Sequence, residues 1–392
     1  MYTEIREYVR FVPSVIAPGA INLIADKVKD LGGTKALIVA DAFLEEPIKT
    51  IKNRLDEAGI PHVEFTDIVP DPTDTSVYAG TKVAKEAGGI DIVIAMGGGS
   101  AMDTAKAINV LLKNPEPLNR YYVTEQNIAP EPSYPIIAIP STSGTGSEST
   151  FAAMVTNTEV HGKRALRSDG ACLPKLALLD PELTYSMPPA LTANSGVDAF
   201  SHAAEAFSCK KANPIADALA RESMEMIVKY LPRAVENGDD KEARYYMYVG
   251  SNLAGMAVSN SLCHFGHSFG HSLGAVAHIP HGACMAAAIP ETYASLAKVE
   301  YDKIKWMAEL VSGEEIPEGI SAEELEKRAR EAFYKFIKLT KAPTLKDYGV
   351  TREQVMKTAE IIPTDGAFDH AKYVPTEEDI KGMLTRIADR FC

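Results

Sequence analysis

The spacing of apolar and polar positions changes character once along the chain. From Leu31 to Met96, short continuous apolar runs alternate with longer amphipathic ones. Lys35 to Ala40 reads as a buried strand, Glu46 to Ala58 as a helix, and His62 to Phe65 as another strand. Asp71-Pro72-Thr73 breaks the chain, Ser76 to Ala87 is helical, and Asp91 to Met96 is the clearest strand. Tyr134 to Ile139 and Leu176 to Asp180 add two more. Strands that are apolar throughout and separated by helices belong to a parallel sheet covered on both faces. Beyond Pro181, Pro188 and Pro189 the strand-like runs fade. Helical periods follow at Ala190 to Phe207, Pro214 to Tyr230, Asp240 to Ser259, Lys298 to Glu309, Ala322 to Leu339 and Glu377 to Arg390. The pattern predicts an α/β domain over 1–187 and an all-α domain over 188–392, the latter with roughly six to eight helices. No internal repeat or low-complexity segment interrupts it.

Two polar stretches sit at the carboxyl ends of predicted strands. After Met96 come Gly97-Gly98-Gly99-Ser100 and then a helix from Ala101 to Lys113. Glycines let backbone approach a ligand, and the free N–H groups at a helix start face an anion. A tight strand–helix turn without a ligand uses the same residues. The spacing is not G-x-G-x-x-G, which points away from the commonest dinucleotide-binding type. After Pro140, the run Ser141 to Thr150 carries seven hydroxyl side chains and two glycines. At the end of a strand this forms a polar lip where open α/β sheets bind ligands, or a solvated loop. Lys163 follows on a short polar segment, where it reaches either a phosphate or ribose or only solvent.

Histidine supplies the strongest chemical signal. Six of the nine histidines fall in two short stretches, Asp198 to His202 and Cys263 to His281. Asp198 and His202 are four apart on a predicted helix and share a face, and His267 and His271 repeat that spacing. Pro280 disfavours helix at Ile279, so His281 opens a new element and approaches from another direction. Asp198, His202, His267 and His281 would supply one carboxylate and three imidazoles, a donor set suited to Fe(II) or Zn(II) with a position left open for substrate. His264 and His278 are left as supporting or structural residues.

Composition narrows the partners. A length of 392 residues, 46% hydrophobic and 24% charged, suits a globular enzyme of two domains. The net charge of −13, with no Lys/Arg block, argues against nucleic acid and anionic membrane. Five scattered cysteines without a C-x-x-C pair read as small core residues in a reducing compartment. Met1 to Glu7 lacks a signal-peptide apolar run and no stretch of about 18 apolar residues occurs, so a cytoplasmic location is expected.

Taken in order, these motifs resemble the iron-containing (group III) alcohol dehydrogenase family. The resemblance rests on Gly97 to Ser100 with Asp103 and Lys106, the Ser141 to Thr150 lip, Asp180-Pro181, Pro188-Pro189 and Leu191-Thr192-Ala193. It continues through Gly196 to Ala206 and the spacing of His267, His271, His281 and Gly282. It implies an N-terminal dinucleotide-binding domain, a helical metal-binding and substrate domain, and an active site in the cleft between them. Asp198, His202, His267 and His281 correspond to the family's metal ligands, and His271 to the histidine beside nicotinamide and substrate. Gly97, Gly98, Gly99 and Ser100 match its pyrophosphate turn. Asp103, Thr142, Thr145, Ser147 and Lys163 fall among its further cofactor contacts.

The implied enzyme interconverts a small primary or secondary alcohol and its carbonyl with NAD or NADP and iron, or zinc in some members, as a dimer or larger homo-oligomer. Asp41, after the strand Lys35 to Ala40, would accept from a ribose 2′-OH and repel a 2′-phosphate, favouring NAD; an N-cap or turn role also fits it. Family members often carry Asn-Pro-Arg near the C-terminus, where this chain reads Phe368 to Pro375. A glycerol-type polyol dehydrogenase is the nearest alternative. The dehydroquinate synthase-like lyases share the architecture but need a more cationic pocket and carry a glutamate at the position of Asp198.

Overall fold

The apolar runs become the interior of a parallel sheet. The computed structural model describes residues 10–123, 128–160 and 162–392. Its first unit, residues 10–186, contains β1 Ser14–Ile16, α1 Ile24–Asp30, β2 Ala36–Ala40, α2 Glu45–Glu57, β3 His62–Phe65, α3 Asp74–Ala87, β4 Ile92–Gly97 and α4 Gly99–Lys113. After these come β5 Ile136–Pro140, β6 Ala152–Asn157, β7 Gly162–Arg167 and β8 Leu176–Leu179. Six strands form one sheet in the order β1-β8-β5-β4-β2-β3, parallel throughout.

Every residue of β2, β4, β5 and β8 is buried, because helices cover both faces. Burying one Leu, Ile or Val in this way contributes about 1.5–3 kcal/mol. The chain runs outward from β2 to β3, returns to β4 on the other side of β2, and continues away to β5. The connections leaving β2 and β4 therefore diverge, and a crevice opens at their carboxyl ends, which hold Asp41 and Gly97.

Two features of this unit depart from the sequence expectation. Lys163 lies on a strand, because β6 and β7 pair antiparallel in a separate hairpin. β6 does alternate buried and half-buried positions, but its buried residues are Ala153, Val155 and Asn157, too mixed to announce a strand. β1 is only three residues long and is defined by its pairing with β8.

The second unit, residues 187–392, is helical. It comprises α5 Pro189–Ser208, α6 Pro214–Glu236, α7 Lys241–Ser259, α8 Phe265–Ala277, α9 His281–Ala294, α10 Tyr301–Ser312, α11 Ala322–Leu339, α12 Arg352–Lys357 and α13 Glu377–Phe391. Nine α-helices among the described residues exceed the six to eight expected. α12 spans six residues, too short to show a period, and α9 carries Pro290 in its interior. α6 also runs through Pro232 to Glu236 instead of stopping at Tyr230. The expected helix from Lys298 is broken at Val299 and Glu300, and α10 starts at Tyr301.

The core of this unit includes Phe200, Phe207, Phe265, Phe269, Phe333 and Phe336, all buried. Among the described residues no helix is long and apolar enough to cross a membrane. Met1 to Glu7 lies outside the described residues.

Candidate active site

In the first unit the glycine turn, the hydroxyl lip and Asp41 come together. Gly97 ends β4 at φ 142°, and a Cβ there would lie 2.2 Å from Asp41 Oδ2 and 2.7 Å from Ala101 Cβ. Only glycine combines that backbone angle with that approach. The Gly98 N–H donates to Asp41 Oδ2 at 3.0 Å. Burial pushes the Asp41 carboxyl above its ordinary range, against the pull of that N–H. Asp41 is thus a turn residue, tying the end of β2 to the turn after β4, and half-buried at the crevice.

Thr142 and Thr145 stand against Gly98 and Gly99, with methyl carbons 3.6 and 2.6 Å from where a Cβ would be. Ser100, like Gly98 and Gly99, is half-buried in the first turn of α4.

Asp103 and Ser147 are committed internally. Lys106, fully buried, donates to Ser147 O and Oγ, Thr150 O and Oγ1, and Ala152 O at 2.6–3.0 Å. Ser147 Oγ donates to Asp103 Oδ1 at 2.8 Å, and the Met154 N–H to Oδ2 at 2.9 Å. Desolvation pushes Asp103 up and Lys106 down, and each opposes the other's shift through its charge. This cluster fastens the lip and β6 to α4. Lys163 Nζ pairs with Asp71 Oδ1 at 2.6 Å, while the Thr156 N–H donates to Pro72 O at 2.6 Å, so the Asp71 loop is held on the hairpin.

In the second unit, α5, α8 and the start of α9 bring the ligand atoms of Asp198, His267 and His281 within 4.8 Å of one another, and His202 joins them through His267. Asp198 Oδ1 lies 3.4 Å from His281 Nε2 and 4.0 Å from His267 Nε2. His267 Nε2 and His202 Nε2 are 3.2 Å apart. Two nitrogens bound at about 2.1 Å to one ion are about 3.0–3.4 Å apart at right-angle to tetrahedral geometry. Asp198 Oδ1 is buried and has no hydrogen-bond partner, a costly condition that a cation would relieve. Burial, reinforced by His271, pushes His267 down to about 4 despite Asp198, leaving a neutral imidazole with a lone pair to give. The donors and their spacing fit a divalent metal.

Residues behind this cluster escaped the sequence reading. Glu205 is fully buried on the Asp198–His202 face of α5. Its Oε2 accepts from the His264 N–H at 2.6 Å and its Oε1 from Tyr293 OH at 3.0 Å. Oε1 also lies 2.9 Å from His267 Nδ1, within ion-pair range although outside hydrogen-bond alignment. Gly266 is required here, since a Cβ would fall 2.3 Å from Glu205 Oε1. The i, i+4, i+7 spacing of Asp198, His202 and Glu205 was the available signal.

His264 caps α8, its Nδ1 accepting the Gly266 N–H, and His278 closes that helix at φ 54°. Cys263 is half-buried instead of a core residue and forms, with His202 and His267, a second group of ligand-type atoms within 4.8 Å of one another. His271 Nδ1 meets Asp365 Oδ2 at 2.9 Å. Burial raises the Asp365 carboxyl, but His271, the Ala367 N–H and the Ser268 hydroxyl outweigh it and hold the group well below the usual carboxylate range. No local pattern links positions 94 residues apart.

A parallel sheet with a glycine turn at its switch point, together with a helical unit holding a carboxylate–imidazole cluster, defines the class of metal- and nucleotide-dependent enzymes. Within it, the family profile "Iron-containing alcohol dehydrogenase" matches residues 13–181, and "Fe-containing alcohol dehydrogenase family, C-terminal" matches residues 192–388. The chain belongs to the iron-containing alcohol dehydrogenase family. It is 36% identical over 383 residues to the NAD-dependent methanol dehydrogenase of Bacillus methanolicus, covering 95% of this chain and 98% of that protein. To the lactaldehyde reductase of Escherichia coli strain K12 it is 34% identical over 365 residues, covering 92% and 94%.

Among solved structures, a 1,3-propanediol oxidoreductase superposes with a TM-score of 0.89 at 33% identity, covering 97% of this chain and all of that one. The sulfoacetaldehyde reductase of Bifidobacterium kashiwanohense, solved with NAD+, gives 0.85 at 27% identity, covering 99% of this chain and 100% of the other. The chain is an NAD(P)-linked alcohol dehydrogenase, an oxidoreductase acting on CH–OH groups. The glycerol-type and lyase alternatives are not favoured.

Proposed function

We propose that the chain interconverts a short primary or small secondary alcohol and its carbonyl, using NAD and an iron ion held by Asp198, His202, His267 and His281. The observation that carries the metal assignment is Asp198 Oδ1, buried without a partner and faced by imidazole nitrogens. Methanol, lactaldehyde, 1,3-propanediol and sulfoacetaldehyde in the names of similar proteins support a substrate of one to three carbons. Gly97, Gly98, Gly99 and Ser100 form the turn that receives the pyrophosphate at the start of α4, the Gly98 N–H being held by Asp41, with Thr142, Thr145 and Lys163 around it. Asp103 and Ser147 act one step back, by holding the lip. Asp41 favours NAD over NADP, since a 2′-phosphate would meet a carboxylate.

When bound, the metal polarises the alcohol or carbonyl oxygen and the nicotinamide carries the hydride. The chain's own part is the proton, which His271 takes from the alcohol during oxidation and returns during reduction. Zinc suits the same donors. The reading extends to a cytoplasmic homo-oligomer.

The test is absorbance at the reduced-nicotinamide band. Chelator-stripped protein is reloaded with Fe(II) or Zn(II) or left metal-free, and each sample receives NADH or NADPH with a panel of short aldehydes. Oxidation of NADH in the iron sample, slower with NADPH and absent without metal, is the expected result. Equal turnover in the metal-free sample would remove the metal from the mechanism, and an NADPH advantage would remove the role given to Asp41.

A further inference from the structure

The residue that sets the working state of His271 comes from the far end of the chain. Asp365 follows the short turn Ile362–Thr364 and grips one face of α8 at two points. Its Oδ1 accepts from Ser268 Oγ and from the Ala367 N–H, both at 2.9 Å, and its Oδ2 faces His271 Nδ1 at 2.9 Å. An ionised carboxylate can only accept, and Oδ1 already has two donors. Nδ1 of His271 therefore carries a proton, and in the neutral ring the lone pair lies on Nε2. The ring is confined on another side by His281, stacked with centroids 5.3 Å apart.

Building on the role proposed for His271, we infer that Asp365 is its positioning residue, selecting the tautomer and ring orientation that let Nε2 exchange a proton with substrate. In the opposite tautomer Nε2 would present an N–H to the alcohol and could not take its proton. With Asp365 in place, the substrate O–H bond breaks and an Nε2–H bond forms, while the Nδ1–H bond stays intact and hydrogen-bonded to the carboxylate. The substrate C–H leaves as hydride to NAD+, so alcohol and NAD+ give carbonyl, NADH and one proton, which Nε2 later releases to water. Reduction runs the same sequence backwards. An aspartate behind a catalytic imidazole serves triad enzymes in this way, and exchanging it for asparagine there stabilises the wrong tautomer.

Asp365→Asn keeps the size of the side chain but can turn an N–H2 toward Nδ1. In the metal-loaded enzyme it is expected to lower kcat about 10- to 100-fold, with NAD affinity and bound metal per chain unchanged. A readout independent of turnover is the ¹⁵N spectrum of the zinc-loaded protein. The wild type should show His271 protonated at Nδ1 and bare at Nε2, and Asp365→Asn should lose that preference. Unchanged kcat, or an unchanged tautomer, overturns the inference, as does a fall in kcat fully matched by loss of metal.

His271→Ala, measured beside it, separates the two readings. If His271→Ala turns over like wild type, the proposed role of His271 fails; if it is slow while Asp365→Asn is not, only the positioning role fails. Should Asp365→Asn not fold, Ser268→Ala carries the test. It removes one bond to Oδ1 and is expected to cost about fivefold in kcat, whereas no change there overturns the inference.

Discussion

Glu205 offers the sharpest test of how the metal cluster is built. Its side chain is fully buried, two donors reach it, the His264 N–H at 2.6 Å and Tyr293 OH at 3.0 Å, and His267 Nδ1 lies 2.9 Å from Oε1 outside hydrogen-bond alignment. Tyr293 is held as a donor, because burial and Glu205 push its phenol well above the ordinary value. Glu205→Gln keeps the shape and replaces one acceptor by an N–H2 group. If the amide nitrogen takes the Oε1 position, it confronts Tyr293 and His267. If it takes the Oε2 position, it confronts the backbone N–H of His264, which cannot turn away.

Either arrangement leaves at least one buried donor unmatched, at a cost of about 1–3 kcal/mol. Part of that cost falls on His267, whose ring then lacks the carboxylate behind it. Losing such a partner typically weakens metal affinity about 10- to 100-fold, which is about 1.4–2.8 kcal/mol. The assay is competition for Zn(II) against a chelator of known affinity, with thermal unfolding of the metal-free protein alongside. Metal affinity within twofold of wild type, with unfolding equally unchanged, would refute the reasoning.

Two further outcomes are expected. Gly97→Ala brings a methyl to 2.2 Å from Asp41 Oδ2 at φ 142°, a strain of about 1–3 kcal/mol. NAD affinity measured by calorimetry should fall tenfold or more while zinc affinity stays constant, and unaltered NAD affinity would remove the turn from the cofactor site. His264 is pushed down to about 4, chiefly by burial, against the pull of Glu205, whereas an unfolded histidine titrates near about 6.5. Between those values the unfolded chain holds the extra proton, so this contribution, up to about 3 kcal/mol, is full above about pH 6.5 and is lost as pH falls toward 4. His264→Gln should therefore flatten the decline of melting temperature in that window, and equal slopes in the two proteins would contradict the assignment.

What could be read along the chain is what depends on near neighbours. Strands such as Ala36–Ala40 and Ile92–Gly97 are apolar at almost every position because both faces of a parallel sheet are covered. Asp198 with His202, and His267 with His271, advertise themselves by helical spacing, and Pro280 announces that His281 begins a new element. Patterns set by pairing across longer distances were silent. β1 is three residues long and is a strand only because β8 lies beside it, and the short polar segment that carries Lys163 is a strand because β6 pairs with it.

The chemistry divides along the same line. Residue type and spacing along the chain determined the metal-ligand candidates, the glycine turn and the family. Tertiary structure alone decided which polar groups have partners. It engaged Asp103 and Ser147 in fastening the lip, put Glu205 behind His267, and brought Asp365 to His271 across 94 residues of sequence. The physical reason is that a helix or strand specifies its own exposed and buried faces through a short repeat. Which distant donor will satisfy a buried carboxylate is settled only when the elements pack.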